Sequence, residues 1–120
     1  MARTSLTKTT PLGPYPSLPV SALALDITMT AADTTNLNQF ILDGPCLIIV
    51  QNTAGVAGTF TLTSAADAQN RTGDITTYSV AATTGLSVFK IDQTNGWRQS
   101  DGFMYLQGSA TTMKFGIIRL

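Results

Sequence analysis

Turn signals cut the chain from residue 30 onward at intervals of roughly eight to twelve residues, a spacing that suits short strands joined by turns. Between the signals the apolar residues recur with period two. "LDITMT" puts Leu25, Ile27 and Met29 on one face and Asp26, Thr28 and Thr30 on the other, which reads as a half-buried strand. "QFIL" stops at Asp43-Gly44-Pro45, a strong turn. "CLIIVQN" is apolar on both faces, so it belongs in the middle of a sheet. "TFTLT" sends Phe60 and Leu62 inward and Thr59, Thr61 and Thr63 outward. "ITTYSVAA" and "LSVFKID" follow as strands, with Tyr78 and Val80 on one face of the first. Asn95-Gly96 and Asp101-Gly102 supply positive φ, so each reads as a two-residue hairpin turn on either side of a strand "WRQS". The last strand, "TMKFGIIRL", either is pinned in a sheet or offers an edge to another chain. The expected fold is all-β: an antiparallel β-sandwich, jelly-roll-like, or a small β-barrel.

The first twenty residues break this pattern. "MARTSLTKTTPLGPYPSLPV" has neither period, and Pro11, Pro14, Pro16 and Pro19 follow one another closely. Residues 1–20 therefore read as an extended assembly arm and residues 21–120 as one β domain. Tyr15 and Leu18 have no local core to join, so they would anchor on the chain's own domain or on a neighbour. Fully extended, twenty residues reach about 60 Å. The prolines reduce the ordering cost by restricting the free arm. A chain of 120 residues buries only about 60–70% of its unfolded surface, so partner chains would help it.

The composition narrows the chemistry. The 120 residues contain no His, seven acids that are all Asp, and seven Lys or Arg, for a formal net charge of zero. Zero charge gives no broad attraction to nucleic acid or to an anionic membrane. The longest apolar run is too short to cross a bilayer. The start has no signal-peptide h-region, so the expectation is synthesis in the cytoplasm and action there or in an assembly built there. The single Cys46, inside "CLIIV", reads as a small buried hydrophobe. Without His the usual Ser and Cys triads and the commonest zinc ligand are missing. No phosphate-cradling glycine motif occurs. Most of the Asp residues sit where turns need them. No enzyme, cofactor or metal is expected.

Two loops carry the remaining candidates. In residues 67–74, Asp67, Asn70 and Asp74 have oxygens of the kind Ca²⁺ takes, but the spacing is not that of an EF-hand and no Glu closes the set. The simpler reading is a turn-rich loop in which Arg71 pairs with an Asp. Asn70-Arg71-Thr72 matches a glycosylation sequon by chance when no secretory signal precedes it. Trp97, beside Gly96, either caps the end of the core, fills an interface, or forms with Tyr78 and Tyr105 a set of platforms for sugar rings.

At "RTSLTKTTPLGPYP", "MTAADTTNLNQF", "RTGDITTYSV", "GWRQSDGFMYL" and "KFGIIRL" the chain resembles small capsid decoration, or cement, proteins encoded in tailed-phage head gene clusters. The distinctive pieces are Arg71-Thr72-Gly73-Asp74, Gly96-Trp97-Arg98-Gln99 and Asp101-Gly102. The resemblance implies a β-rich, often trimeric protein on the outer surface of an expanded icosahedral shell. There it would bind the major capsid protein and bridge neighbouring capsomers. Pro11, Pro14, Tyr15, Pro16, Leu18, Arg71, Asp74, Trp97 and Arg98 are then the expected interface residues. Other virion parts, at the head-tail junction or on a tail fibre, and a glycan-binding β module are the competing expectations.

Overall fold

The computed structural model describes residues 2–11, 27–66, 69–70, 72–83 and 85–120. Among these the chain forms ten strands and no helix: β1 (Thr4–Ser5), β2 (Lys8–Thr9), β3 (Thr30–Ala31), β4 (Asn38–Ile41), β5 (Cys46–Asn52), β6 (Gly58–Thr63), β7 (Ile75–Val80), β8 (Leu86–Ile91), β9 (Phe103–Gly108) and β10 (Met113–Arg119). They make two sheets packed face to face. Sheet A runs β1-β4-β9-β6-β7, and sheet B runs β2-β10-β5-β8 with β3 also paired to β10. The all-β expectation holds, but the sheets are mixed. β1 lies parallel to β4 and β2 parallel to β10, while the remaining pairs are antiparallel. Parallel pairing needs a long connection between partners, and β1 and β2 have one because their partners lie far along the chain.

Alternation within each strand builds the core. Along β5, Cys46, Ile48, Val50 and Asn52 are buried while Leu47, Ile49 and Gln51 are half-buried. Phe115 faces Val50 and Ile117 faces Ile48 across the β5–β10 register. From sheet A come Phe40 beside Met104, and Leu62 beside Leu106, all fully buried. Each such side chain contributes about 1.5–3 kcal/mol by leaving water. Phe60, Tyr78 and Phe89 close one side of the sandwich, with ring centroids 5.2–5.4 Å apart in tilted and edge-on contacts. Buried Asn52 is the polar pin beside them. Its Nδ2 donates to the carbonyls of Val56 at 2.8 Å and Val80 at 3.2 Å, and its Oδ1 accepts from the Ala54 N–H at 3.0 Å.

The two outer faces differ in kind. On sheet A, Gln39, Tyr105 and Thr63 form one row and Gln107 and Thr61 the next, with Thr59 beside Ser79. Ile41 and Phe103 are the apolar pair at one end. On sheet B the outward side chains are Leu47, Ile49, Leu86, Val88 and Ile118, with Gln51, Lys90 and Lys114 among them. Ile27 and Met29 lie against this face at Gly116, where an added Cβ would sit 2.7 Å from Ile27 Cδ1 and 2.6 Å from Met29 Sδ. Only glycine admits so close an approach.

Three sequence expectations are corrected. The first residues do reach the core: Leu6, between β1 and β2, is only 7% exposed. The chain crosses from one sheet to the other there, so neither strand is long enough to show a period. Ile27–Met29 are not strand, and β3 is confined to Thr30–Ala31; Leu25 and Asp26 lie outside the described residues. "WRQS" is not a strand either. Gly96 and Gly102 have φ of 92° and 89°, as their turn signals require, but β8 and β9 belong to different sheets and residues 92–102 are the loop between them. For the last strand, β10, the pinned one of the two expectations holds. β5 covers one side, and β3 and β2 share the other.

Leu6→Ala should lower the free energy of unfolding by about 2–3 kcal/mol, at the low end of buried leucine truncations. Thr7→Ala, at an exposed neighbour, should stay within about 0.5 kcal/mol. Urea unfolding of both variants measures the contrast.

Candidate functional site

The two candidate loops meet at one end of the sandwich. The Ala65 N–H donates to the Gly96 carbonyl at 2.8 Å. Gln99 Nε2 donates to the Ser64 carbonyl at 3.0 Å. Each loop is also tied within itself. The Trp97 and Arg98 N–H groups both reach the Thr94 carbonyl, at 3.1 and 2.9 Å. Asp74 Oδ1 accepts from the Ser64 N–H and hydroxyl, both at 2.8 Å, and the Gly73 N–H donates to the Ser64 oxygen at 2.9 Å. The Asp74 carboxylate is thus a loop brace, held below its ordinary range chiefly by the Ser64 N–H.

Between the loops lies a cavity of ≈ 250 Å³ lined by Ser64, Thr72, Gly73, Gln93, Asn95, Gly96 and Trp97. Trp97 packs partly against the core and shows its remaining surface to the cavity. Every described side chain in this lining is uncharged. Hydroxyls, amides and one indole make a neutral, hydrogen-bonding wall. Arg98 is exposed beside Gly102, with its Nη2 3.5 Å from where a Gly102 Cβ would stand.

Of the expected interface residues, the fold brings Asp74, Trp97 and Arg98 to this one end. Pro11 is exposed just after β2. Pro14, Tyr15, Pro16, Leu18 and Arg71 lie outside the described residues, as does Asp67 of the calcium reading.

Sequence reasoning missed a second cluster, where the chain's beginning is clasped. The Arg3 guanidinium sits 4.1 Å from the centroid of the Tyr105 ring and donates to the Asn38 carbonyl at 3.0 Å. Tyr105 donates its hydroxyl to Asp101 at 2.6 Å, which lowers the Asp101 pKa and raises that of Tyr105. Further along, Asp43 takes both Lys8 and Arg119, the latter at 2.7 Å, so one carboxylate joins β2, the β4–β5 turn and the end of β10. Its pKa falls mainly through the Lys8 hydrogen bond. Asp33 is held lowest, at about 2, first by the Asn36 N–H and then by the Thr4 hydroxyl. No local signal marks Arg3, Thr4 and Lys8 as partners here, because their contacts are set by the parallel docking of β1 and β2. Cys46 is a buried thiol pushed up to about 11 by desolvation, so it stays protonated and inert at neutral pH.

Comparison with protein-family models, with curated proteins and with solved structures finds no match to the chain.

The four lowered carboxyls give the fold a definite acid response. A group whose pKa is lowered by folding contributes stability above its unfolded pKa and loses it as pH falls through the folded value. For Asp33 that interval runs from 3.8 down to about 2. The thermal midpoint should be flat from about pH 5 to 7 and drop steeply below about pH 4. Asp33→Asn should start lower at neutral pH and show a shallower acid limb in a pH series of thermal melts.

Proposed function

We propose that this chain is a structural virion protein of the decoration type, binding the outer surface of a phage head and bridging neighbouring capsomers to stabilise the shell. The observation that supports it most is the unlikeness of the two outer faces. Sheet A turns mainly hydroxyls and amides outward, and sheet B turns aliphatic side chains outward. A body that sits on a shell needs a wet side and a docking side, and contiguous exposed apolar surface marks interaction sites. The turn and ion-pair duties of Asp33, Asp43, Asp74 and Asp101 fit a rigid body with no chemistry to perform. The finer reading belongs to the same proposal: a jelly-roll-like sandwich with an N-terminal arm, a homotrimer as the binding unit, and the major capsid protein as partner.

Quantitative mass spectrometry of purified virions tests this directly. The expected result is a ratio to the major capsid protein near one to one, or a simple fraction repeated over the shell. A handful of copies per particle would move the chain to a vertex or tail. Complete absence from virions would overturn the proposal. The arm is tested separately by Tyr15→Ser with Leu18→Ser, which should weaken capsid binding while leaving residues 2–11 to complete the fold.

The neutral cavity beside Trp97 favours one second reading, a glycan-binding module. Sugar rings stack on indoles and take hydrogen bonds from amides and hydroxyls. Trp97 is the only tryptophan in the chain, so its emission reports on the cavity without interference. A saturable change on titration with neutral oligosaccharides would support this reading, and unchanged emission would remove it.

A further inference from the structure

Among the described residues the sandwich has four edges, and three are blunted against pairing with another chain. On sheet A, β1 is two residues long, and β7 carries a bulge. Phe60 faces Tyr78 and Leu62 faces Ile75, so Thr61 alone opposes both Thr76 and Thr77. Thr77 takes a φ of 48° there, a conformation that a β-branched residue rarely adopts. Bulges of this kind turn an edge away from neighbours. On sheet B, the β2/β3 side is split into two two-residue pieces.

The fourth edge, β8, has none of these defences. It is six residues long, contains neither proline nor glycine, and pairs with β5 in unbroken register from Leu86 to Ile91. The Asn52 N–H donates to the Gly85 carbonyl at 3.0 Å. Antiparallel ladders alternate, so Ser87, Phe89 and Ile91 spend their backbone groups on β5, and those of Leu86, Val88 and Lys90 point away from the sheet. The side chains of these three residues lie on the apolar outer face, where Leu86 is 61% and Val88 56% exposed.

We propose that β8 of one copy pairs antiparallel with β8 of a second copy, about a two-fold axis at Val88, joining their B sheets into one. The strand's own chemistry selects this occupant. Centring on Val88 lets all three outward-facing residues of each strand pair. Val88 then faces Val88, and Leu86 faces the aliphatic stem of Lys90. The Lys90 ammonium already has Asp92 at 3.0 Å in its own chain, so each copy brings a neutralised end. Antiparallel order keeps the two Lys90 residues about 13 Å apart along the strands, whereas parallel in-register order would set them side by side. The paired copies present one apolar face twice the width of either alone. This inference deepens the docking-side argument and puts a two-fold pair in place of the homotrimer as the unit in solution, but it is a property of the purified chain and stands without any capsid.

Sedimentation equilibrium of the full chain over a wide concentration range tests it. The wild-type mass should double with concentration. Val88→Lys, at an exposed position, should keep the thermal midpoint of the wild-type chain at concentrations below its association range and weaken association roughly a hundredfold, because it sets two cations face to face. Val88→Cys under mild oxidation should give a disulfide-linked pair, since directly opposed strand residues lie within bridging distance. Leu86→Cys should not, because its counterpart lies four residues away in this register. A wild-type chain that stays monomeric throughout overturns the proposal. So does a trimer untouched by Val88→Lys, or equal cross-linking at positions 86 and 88. None of these results bears on the copy number in virions, so the two proposals fail separately.

Discussion

Strand β10 is hydrogen-bonded along both of its sides, and the rest of sheet B is arranged around that fact. β5 takes seven residues of it, from Met113 to Arg119. Its other side is divided: Lys114 and Phe115 pair with β3, and Ile117 and Ile118 with β2. Neither short strand has the length to stand alone. Each persists because β10 offers a ready line of donors and acceptors, and because Leu6 and Ala32 are buried beside them. The Asp43 carboxylate then ties β2 to the end of β10 through Lys8 and Arg119.

The second organising feature is the alternation of sheets along the chain. From β4 onward consecutive strands fall in A, B, A, A, B, A and B. Only β6 and β7 are neighbours both in sequence and in a sheet. From β4 onward every other connection crosses an end of the sandwich. This is why the loops gather at the ends, and why the 64–74 and 92–102 loops, far apart in sequence, bond through Ala65 to Gly96 and through Gln99 to Ser64.

What was legible in the sequence follows from these two features. β6 was legible because one side of it must be buried and period two records that, whereas β5 and β8 showed as short apolar-rich runs between turn signals. The position of β5 inside its sheet was legible because Leu47 and Ile49 make its outer side apolar as well. Asn95-Gly96 and Asp101-Gly102 announced their backbone shape correctly, since positive φ is a local property. They misled about pairing, because a turn dipeptide cannot say whether its flanks share a sheet. The N-terminal strands were illegible for the same physical reason. Two-residue strands have no period, and their partners lie more than thirty and more than a hundred residues away. At the candidate site, the meeting of Asp74 with the Trp97 loop is likewise long-range geometry. Trp97 stood out by its residue type and its place beside a turn, whereas Arg3 and Tyr105 carried no mark of their contact.

The pairing of β2 with β10 also sets an order on how the molecule comes into being. A ribosome delivers Lys8 and Thr9 more than a hundred residues before their partners Ile117 and Ile118. Until then Leu6 has no finished core to enter and β5 lacks one of its two flanking strands. Contacts this distant in sequence make folding slow, because the loop must close before the contact can repay it. Native structure in sheet B therefore waits until β10 has been delivered. Until then the nascent chain carries the apolar "CLIIV" run with an open side, a period in which dependence on chaperones is to be expected.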